Sequence, residues 1–132
     1  MNHIKIPIPP QVDLIAREIV DAGFKVHSAL GPGLLESVYE ICLAHELTKK
    51  GINFVRQPAL PVLYDNIRLE SGLRPDLIVE ESIIIELKTV EAILPIHISQ
   101  LLTYLKLSGL RLGLLINFNV TRIKDGIKRI VL

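Results

Sequence analysis

The chain has 132 residues, 15 Lys and Arg against 14 Asp and Glu, a net charge of +1, and a mean hydropathy of +0.41. That length is about one domain's worth and can bury a core without staples. Its one cysteine, Cys42, excludes an intramolecular disulfide framework and a Cys-rich zinc site. Despite the positive hydropathy, no apolar run approaches the roughly 20 residues a bilayer-spanning helix needs. The proline-broken start, Met1 to Pro10, lacks a signal-peptide apolar region, so no membrane association and a cytoplasmic location are expected. Near-neutral charge gives no global basic footprint, so any action on nucleic acid must rest on a local site.

Residues 1–10 are expected to form an extended arm, and residues 11–132 a single domain. From Gln11 to Leu30, apolar residues at Val12, Ile15, Ile19, Val20, Val26 and Leu30 recur at mostly helical spacing. Gly31-Pro32-Gly33 interrupts that helix; without a following Gly-Lys-Ser/Thr it is an interhelical break, not a phosphate-binding loop. A second helix carries Leu35, Val38, Tyr39, Cys42, Leu43 and Leu47 on one side and ends at Lys49-Lys50-Gly51. Cys42 on that apolar side is expected to be a buried thiol. His45-Glu46 has no second histidine four positions on, so the zinc-protease motif is absent.

The period then changes. Phe54 to Leu63, with its prolines, predicts an irregular or edge strand, and Tyr64-Asp65-Asn66 a turn. Leu73 to Val79 and Ile83 to Lys88 predict two strands around Glu80-Glu81-Ser82. A helix is expected from Pro95 to Ser108, proline in its first turn, and Leu112 to Phe118 predicts a strand covered on both faces. Ile127 to Leu132 adds a last strand. The order ααβββαββ is mixed α/β, a central sheet flanked by helices.

The chemistry concentrates in one hairpin. With a loop of residues 80 to 82, Asp76 falls opposite Glu86, Ile78 opposite Ile84, and Arg74 opposite Lys88. Opposed residues share a face, with Cβ atoms about 4.5–5.5 Å apart, and Lys88 joins that face two residues beyond Glu86. Leu77, Val79, Ile83, Ile85 and Leu87 line the other face. A one-residue slip would separate the carboxylates. Two carboxylates facing each other on a buried hairpin repel, and a divalent cation removes that penalty. A nearby lysine could orient a water or offset charge on a phosphate. The same four residues would serve equally as a salt-bridge quartet.

Pro75-Asp76, nine residues, then Glu86-Leu87-Lys88 resembles the PD-(D/E)XK motif of restriction-endonuclease-like nucleases. Gly33-Leu34-Leu35-Glu36-Ser37-Val38-Tyr39 resembles the signature of the GxxExxY proteins, a branch of that superfamily. Gln100-Leu101-Leu102-Thr103-Tyr104 is similar to the QxxxY element of some branches. The resemblance runs from about Ile15 to Phe118 with no departure at the metal-site residues. It implies the restriction-endonuclease-like α/β fold, a mixed central sheet with helices on its sides.

By that resemblance Asp76 and Glu86 are metal ligands and Lys88 the catalytic lysine. Glu36 adds an acidic group or a water-mediated metal contact; the plainer reading is a helix carboxylate near an N-terminus. Gln100 and Tyr104, one helical turn apart, would hydrogen-bond the carboxylates or the nucleic-acid backbone. Tyr39 is expected in the core. The implied cofactor is Mg²⁺, with Mn²⁺ as substitute, and the implied reaction is hydrolysis of phosphodiester bonds, in DNA, by a metal-activated water. A homodimer or partner protein is expected, since so small a domain does not enclose a duplex. The alternative is a catalytically silent module that keeps the fold for binding or protein interaction. His27 and His97 are expected in local packing or hydrogen bonding. Arg122, Lys124, Lys128 and Arg129 are expected to guard an edge strand; their other use would be to grip phosphates.

Overall fold

A computed structural model describes residues 6–132, without the side chain of Ser71. Helix α1 (Pro10–Leu30) starts with proline where its missing N–H costs nothing. It stops at Gly31, whose φ of 68° is one few other residues adopt. Helix α2 (Glu36–Lys49) follows across the short break. The expected arm 1–10 falls partly on residues 1–5, outside the described residues; 6–9 have no regular structure, and Pro10 already belongs to α1.

The middle departs from expectation. The strand expected over 54–63 is two, β1 (Phe54–Arg56) and β2 (Leu60–Tyr64), in different sheets. A further strand, β3 (Ile67–Leu73), pairs antiparallel with β2 across a turn whose Asp65 and Asn66 have φ of 48° and 65°. Leu73 therefore ends β3, and the hairpin that carries the acidic pair begins after Pro75 with β4 (Leu77–Val79), followed by β5 (Ile83–Lys88). Proline, with no N–H for the ladder, separates the two. Helix α3 (Pro95–Ser108) then crosses to β6 (Leu112–Asn117), which lies parallel to β5. A 3₁₀ turn (Ile123–Gly126) leads into β7 (Ile127–Val131).

The main sheet runs β1-β4-β5-β6-β7 and is mixed; β2 and β3 form a separate ribbon. Every residue of β6 is buried, as befits a central strand covered on both faces. Alternation along the strands divides the core. Leu77, Val79, Ile83, Ile85, Leu87, Leu114 and Ile116 pack under α1 and α2. Ile78, Ile84 and Leu115 pack with Leu101, Tyr104 and Leu105 of α3. The expected helix-flanked mixed sheet is therefore present. Among the described residues no helix is long and apolar enough to cross a membrane.

Candidate active site

The hairpin register is the one the sequence predicts: Leu77 faces Ile85, Ile78 faces Ile84, and Val79 faces Ile83. Continued one step, it brings Asp76 to Glu86, and the two hold each other through the backbone. The Asp76 N–H donates to Glu86 Oε1 at 2.8 Å, and Asp76 Oδ2 accepts from the Leu87 N–H at 2.7 Å. Asp76 precedes the ladder proper; its carbonyl accepts from the Gln57 N–H just past β1 at 2.9 Å, and the two side chain to backbone bonds fix it against β5. Glu86 is 5% exposed.

Burial dominates the electrostatics. It raises the Asp76 carboxyl to about 6, against a hydrogen bond from Leu87, with Glu36 and Glu40 adding to the rise and Lys88 opposing it. Burial and then the negative charge of Asp76 raise Glu86 to about 8, against the Asp76 N–H and Lys88. The pair thus resists full ionisation unless positive charge arrives. Lys88 supplies part of it, its Nζ 4.0 Å from Glu86 Oε2 and 3.4 Å from Gln100 Oε1. Arg74 does not take the expected place opposite Lys88. It is exposed and donates to the Gln57 carbonyl at 3.1 Å, so the salt-bridge quartet does not form.

Helix α3 closes the other side. Gln100 Nε2 donates to Tyr104 Oη at 3.2 Å, which turns its carbonyl end toward Lys88. The Tyr104 hydroxyl is pushed up by burial and by the negative charges of Glu86 and Asp76. Gln100 and Tyr104 therefore reach the hairpin as a relay to Lys88.

Glu36 is the first residue of α2. Its pKa is raised by burial, lowered by Lys88, and raised by Glu40, which places it within electrostatic reach of the hairpin. The spacing around it has a mechanical reason. Gly33, at φ 99°, turns the chain into α2. Three residues after Glu36, buried Tyr39 donates its hydroxyl to the Gly31 carbonyl at 2.5 Å and accepts from the Leu34 N–H at 3.2 Å. Its ring stacks on Phe118 with centroids 4.4 Å apart, and the Phe118 N–H donates to the Lys88 carbonyl. Tyr39 is thus core, as expected, and pins the loop that presents Glu36.

Two residues at the site were not anticipated. Glu40, buried at 4% exposure, accepts from Nε and Nη2 of Arg56 at 3.0 and 2.7 Å. Its spacing of four from Glu36, one helical turn, was the available signal. Asn117, 2% exposed and opposite Lys88 in the parallel register, clamps Val90. Its Oδ1 accepts from the Val90 and Asn119 N–H groups, and its Nδ2 donates to the Val90 carbonyl. A lone asparagine ending an apolar strand was its only mark in the sequence.

The other expectations resolve locally. His27 hydrogen-bonds the Val120 carbonyl at 2.8 Å, and His97 Nδ1 accepts the Leu94 N–H at the start of α3. Cys42 is half-buried against the α1/α2 core. Lys128 and Arg129 lie on edge strand β7, Arg129 paired with Asp13 at 2.6 Å, whereas Arg122 and Lys124 precede the strand.

A divalent cation suits the Asp76–Glu86 pair on its donor chemistry: one half-buried and one buried carboxylate, each with an oxygen outside those backbone bonds. Among the described residues no three His, Cys, Asp or Glu side chains form a ready cage, so Glu36 does not complete a direct triad. Mg²⁺ needs none, since it keeps several waters and often uses one or two carboxylates.

No curated protein and no solved structure matches the chain. The family model of the PD-(D/E)XK nuclease superfamily matches residues 13–130, a span that takes in Glu36, Asp76, Glu86, Lys88, Gln100 and Tyr104. The chain belongs to the PD-(D/E)XK nuclease superfamily.

Proposed function

We propose that the chain is a nuclease that hydrolyses phosphodiester bonds in DNA, with Mg²⁺ as its ion and Mn²⁺ as an effective substitute. One observation carries the reading. Half-buried Asp76 and buried Glu86 lie together, raised to about 6 and about 8, and flanked by Lys88. A structural ion pair would balance its charges, and this site is left short of positive charge. Asp76 and Glu86 would hold the ion, with Glu36 facing it through water. When bound, the ion supplies charge neutralisation and Lewis acidity toward phosphate oxygens.

The remaining work falls to the chain. Lys88 offsets negative charge developing on the phosphate and orients the attacking water. Gln100, held by Tyr104, keeps the Lys88 ammonium over the carboxylates. The Glu36-Tyr39 arrangement supports placing the chain in the GxxExxY branch. We place its action in the cytoplasm, as a homodimer or with a partner protein.

The test is cleavage of labelled single- and double-stranded DNA and RNA with Mg²⁺, Mn²⁺ or EDTA, beside Asp76→Ala and Lys88→Ala. Metal-dependent cutting of DNA, lost in both variants, is expected. Full activity in either variant would sink the mechanism. No cutting of any substrate would favour a silent binding module.

A further inference from the structure

The four C-terminal cations divide by position, and the two before β7 stand over a cavity. A recess of about 470 Å³ is lined by Phe24, His27 and Ser28 at the end of α1, by Gly31, and by Arg122 and Lys124 across from them. Both cations are exposed. Some surface cations are paired, Lys25 and Lys49 with Glu46, Lys50 with Glu18, and Arg129 with Asp13. Others such as Arg17, Lys106 and Lys128 have no acidic partner among the described residues but line no recess with a second free cation. Among the described residues neither Arg122 nor Lys124 has an acidic partner. The C-terminus of α1 brings about half a negative charge to this recess, which two full positive charges outweigh.

The recess lies on the same rim of the sheet as the candidate active site. Lys88 and Asn117 end neighbouring parallel strands, and the chain leaves Asn117 for Arg122 directly. Five residues span at most about 18 Å, so Arg122 stands a few nucleotides' length from Asn117. The structure couples the two regions. His27 bonds the Val120 carbonyl, and Tyr39, one turn past Glu36, bonds Gly31 on the recess wall. With a net charge of only +1, a phosphate grip has to be local, and this is a concave basic surface on the rim of the sheet where the β5 and β6 ends lie.

We propose that Arg122 and Lys124, with the Ser28 hydroxyl, form a phosphate-binding subsite that holds the nucleic-acid backbone a few nucleotides from the bond being cut. The proposal rests on the nuclease reading and adds how the substrate is gripped. Phosphate contacts of this kind position the strand and carry no sequence preference.

The experiment compares Arg122→Gln/Lys124→Gln with Lys49→Gln/Lys50→Gln, which removes the same charge from the far end of α2. Binding of a fluorescein-labelled DNA is followed by anisotropy across a salt series on an Asp76→Ala background, where nothing is cut. Cleavage is measured on the otherwise intact chain. The subsite variant is expected to bind about tenfold more weakly and to flatten the slope of log K against log salt by about 1–2, since each phosphate contact contributes about 0.9. Its KM should rise with kcat unchanged, the mark of lost uniform binding.

Equal behaviour of the two variants, with cleavage intact, overturns the subsite and leaves the nuclease standing. A chain that neither binds nor cuts DNA or RNA removes both readings. Binding of inorganic phosphate that Arg122→Gln/Lys124→Gln abolishes, with DNA affinity unchanged, overturns the backbone assignment in favour of a small free anion.

Discussion

Asp76 and Glu86 are each secured by the other's strand: the Asp76 N–H grips the Glu86 carboxylate while Asp76 itself accepts from Leu87. These bonds hold the two charges together and oppose, without cancelling, the rise that burial imposes on both. The geometry is therefore fixed before any ion arrives, and the cost of ionising it is carried by the fold.

That cost makes stability depend on pH. Unfolded, both groups release their protons near pH 4; folded, they retain them to about 6 and about 8. Between those limits the folded chain binds more protons than the unfolded one, so its stability falls as pH rises. In EDTA the melting temperature is expected to drop between about pH 5 and about pH 8.5. Mg²⁺ or Mn²⁺ should restore it most at the alkaline end, where the ion need not displace protons. Glu86→Gln should lose most of the slope. A melting temperature that rises through the same interval in the wild-type chain would refute the argument.

The contact of Gln100 with Lys88 and Tyr104 predicts a non-additive pair. Gln100 is exposed, so Gln100→Ala should leave the melting temperature nearly unchanged while lowering cleavage about tenfold through a misplaced Lys88. Tyr104→Phe removes only the hydroxyl that holds Gln100 and should cost less. The double variant should be no worse than Gln100→Ala alone, because Tyr104 acts through Gln100. Additive losses in a double-mutant cycle would mean that Tyr104 contacts substrate independently.

How much of this the sequence revealed follows from where alternation was unbroken. Leu77, Val79, Ile83, Ile85 and Leu87 alternate with Ile78 and Ile84 about a three-residue loop, so register and carboxylate pairing could be read without a structure. The resemblance then placed Glu36, Gln100 and Tyr104 on elements that exist. The β2–β3 ribbon was not legible. Its Ile67-Arg68-Leu69-Glu70 strand does alternate, but reading a strand from Leu73 ran it through Arg74-Pro75. Tyr64-Asp65-Asn66 does read as a turn, but what its two left-handed residues join, a second strand paired back on β2, lay hidden behind the run-on strand. The fate of Arg74 followed from the same error, since a residue ahead of the proline is outside the β4 ladder. Glu40 and Asn117 escaped notice because their roles depend on partners 16 and 27 residues away.

The Glu40–Arg56 pair predicts an asymmetric cost. Glu40 is buried, whereas the Arg56 side chain is 44% exposed. Arg56→Ala leaves a carboxylate with no counter-charge beside Asp76 and Glu36, at a cost of about 1–3 kcal/mol, below the fully buried case because solvent reaches the arginine. Glu40→Gln/Arg56→Ala should recover part of that loss, since it removes the stranded charge. Urea denaturation of the three chains measures both effects. A double variant less stable than Arg56→Ala would show that the charge on Glu40 is not the source of the cost.

Gly126 ties the β7 edge of the sheet to the lysine. A Cβ on Gly126 would run into the Asn117 carbonyl oxygen and meet a Val120 methyl at 3.1 Å. The first of these is backbone, which cannot swing aside as a flexible side chain can. Asn117 in turn clamps Val90, two residues past Lys88. Gly126→Ala should therefore cost about 1–3 kcal/mol by overpacking and should also lower cleavage at temperatures where the variant is fully folded. Gly113→Ala is the comparison. Its Cβ would lie 2.9 Å from the Leu101 side chain, a contact with movable atoms under α3. It should cost less stability, and on a Leu101→Ala background its added cost should shrink, whereas no single side-chain truncation should shrink that of Gly126→Ala. Denaturation curves paired with cleavage rates separate the two. Equal destabilisation and equal rescue would mean that the β6–β7 connection yields as readily as a leucine, and that Asn117 does not hold the Lys88 strand end in place.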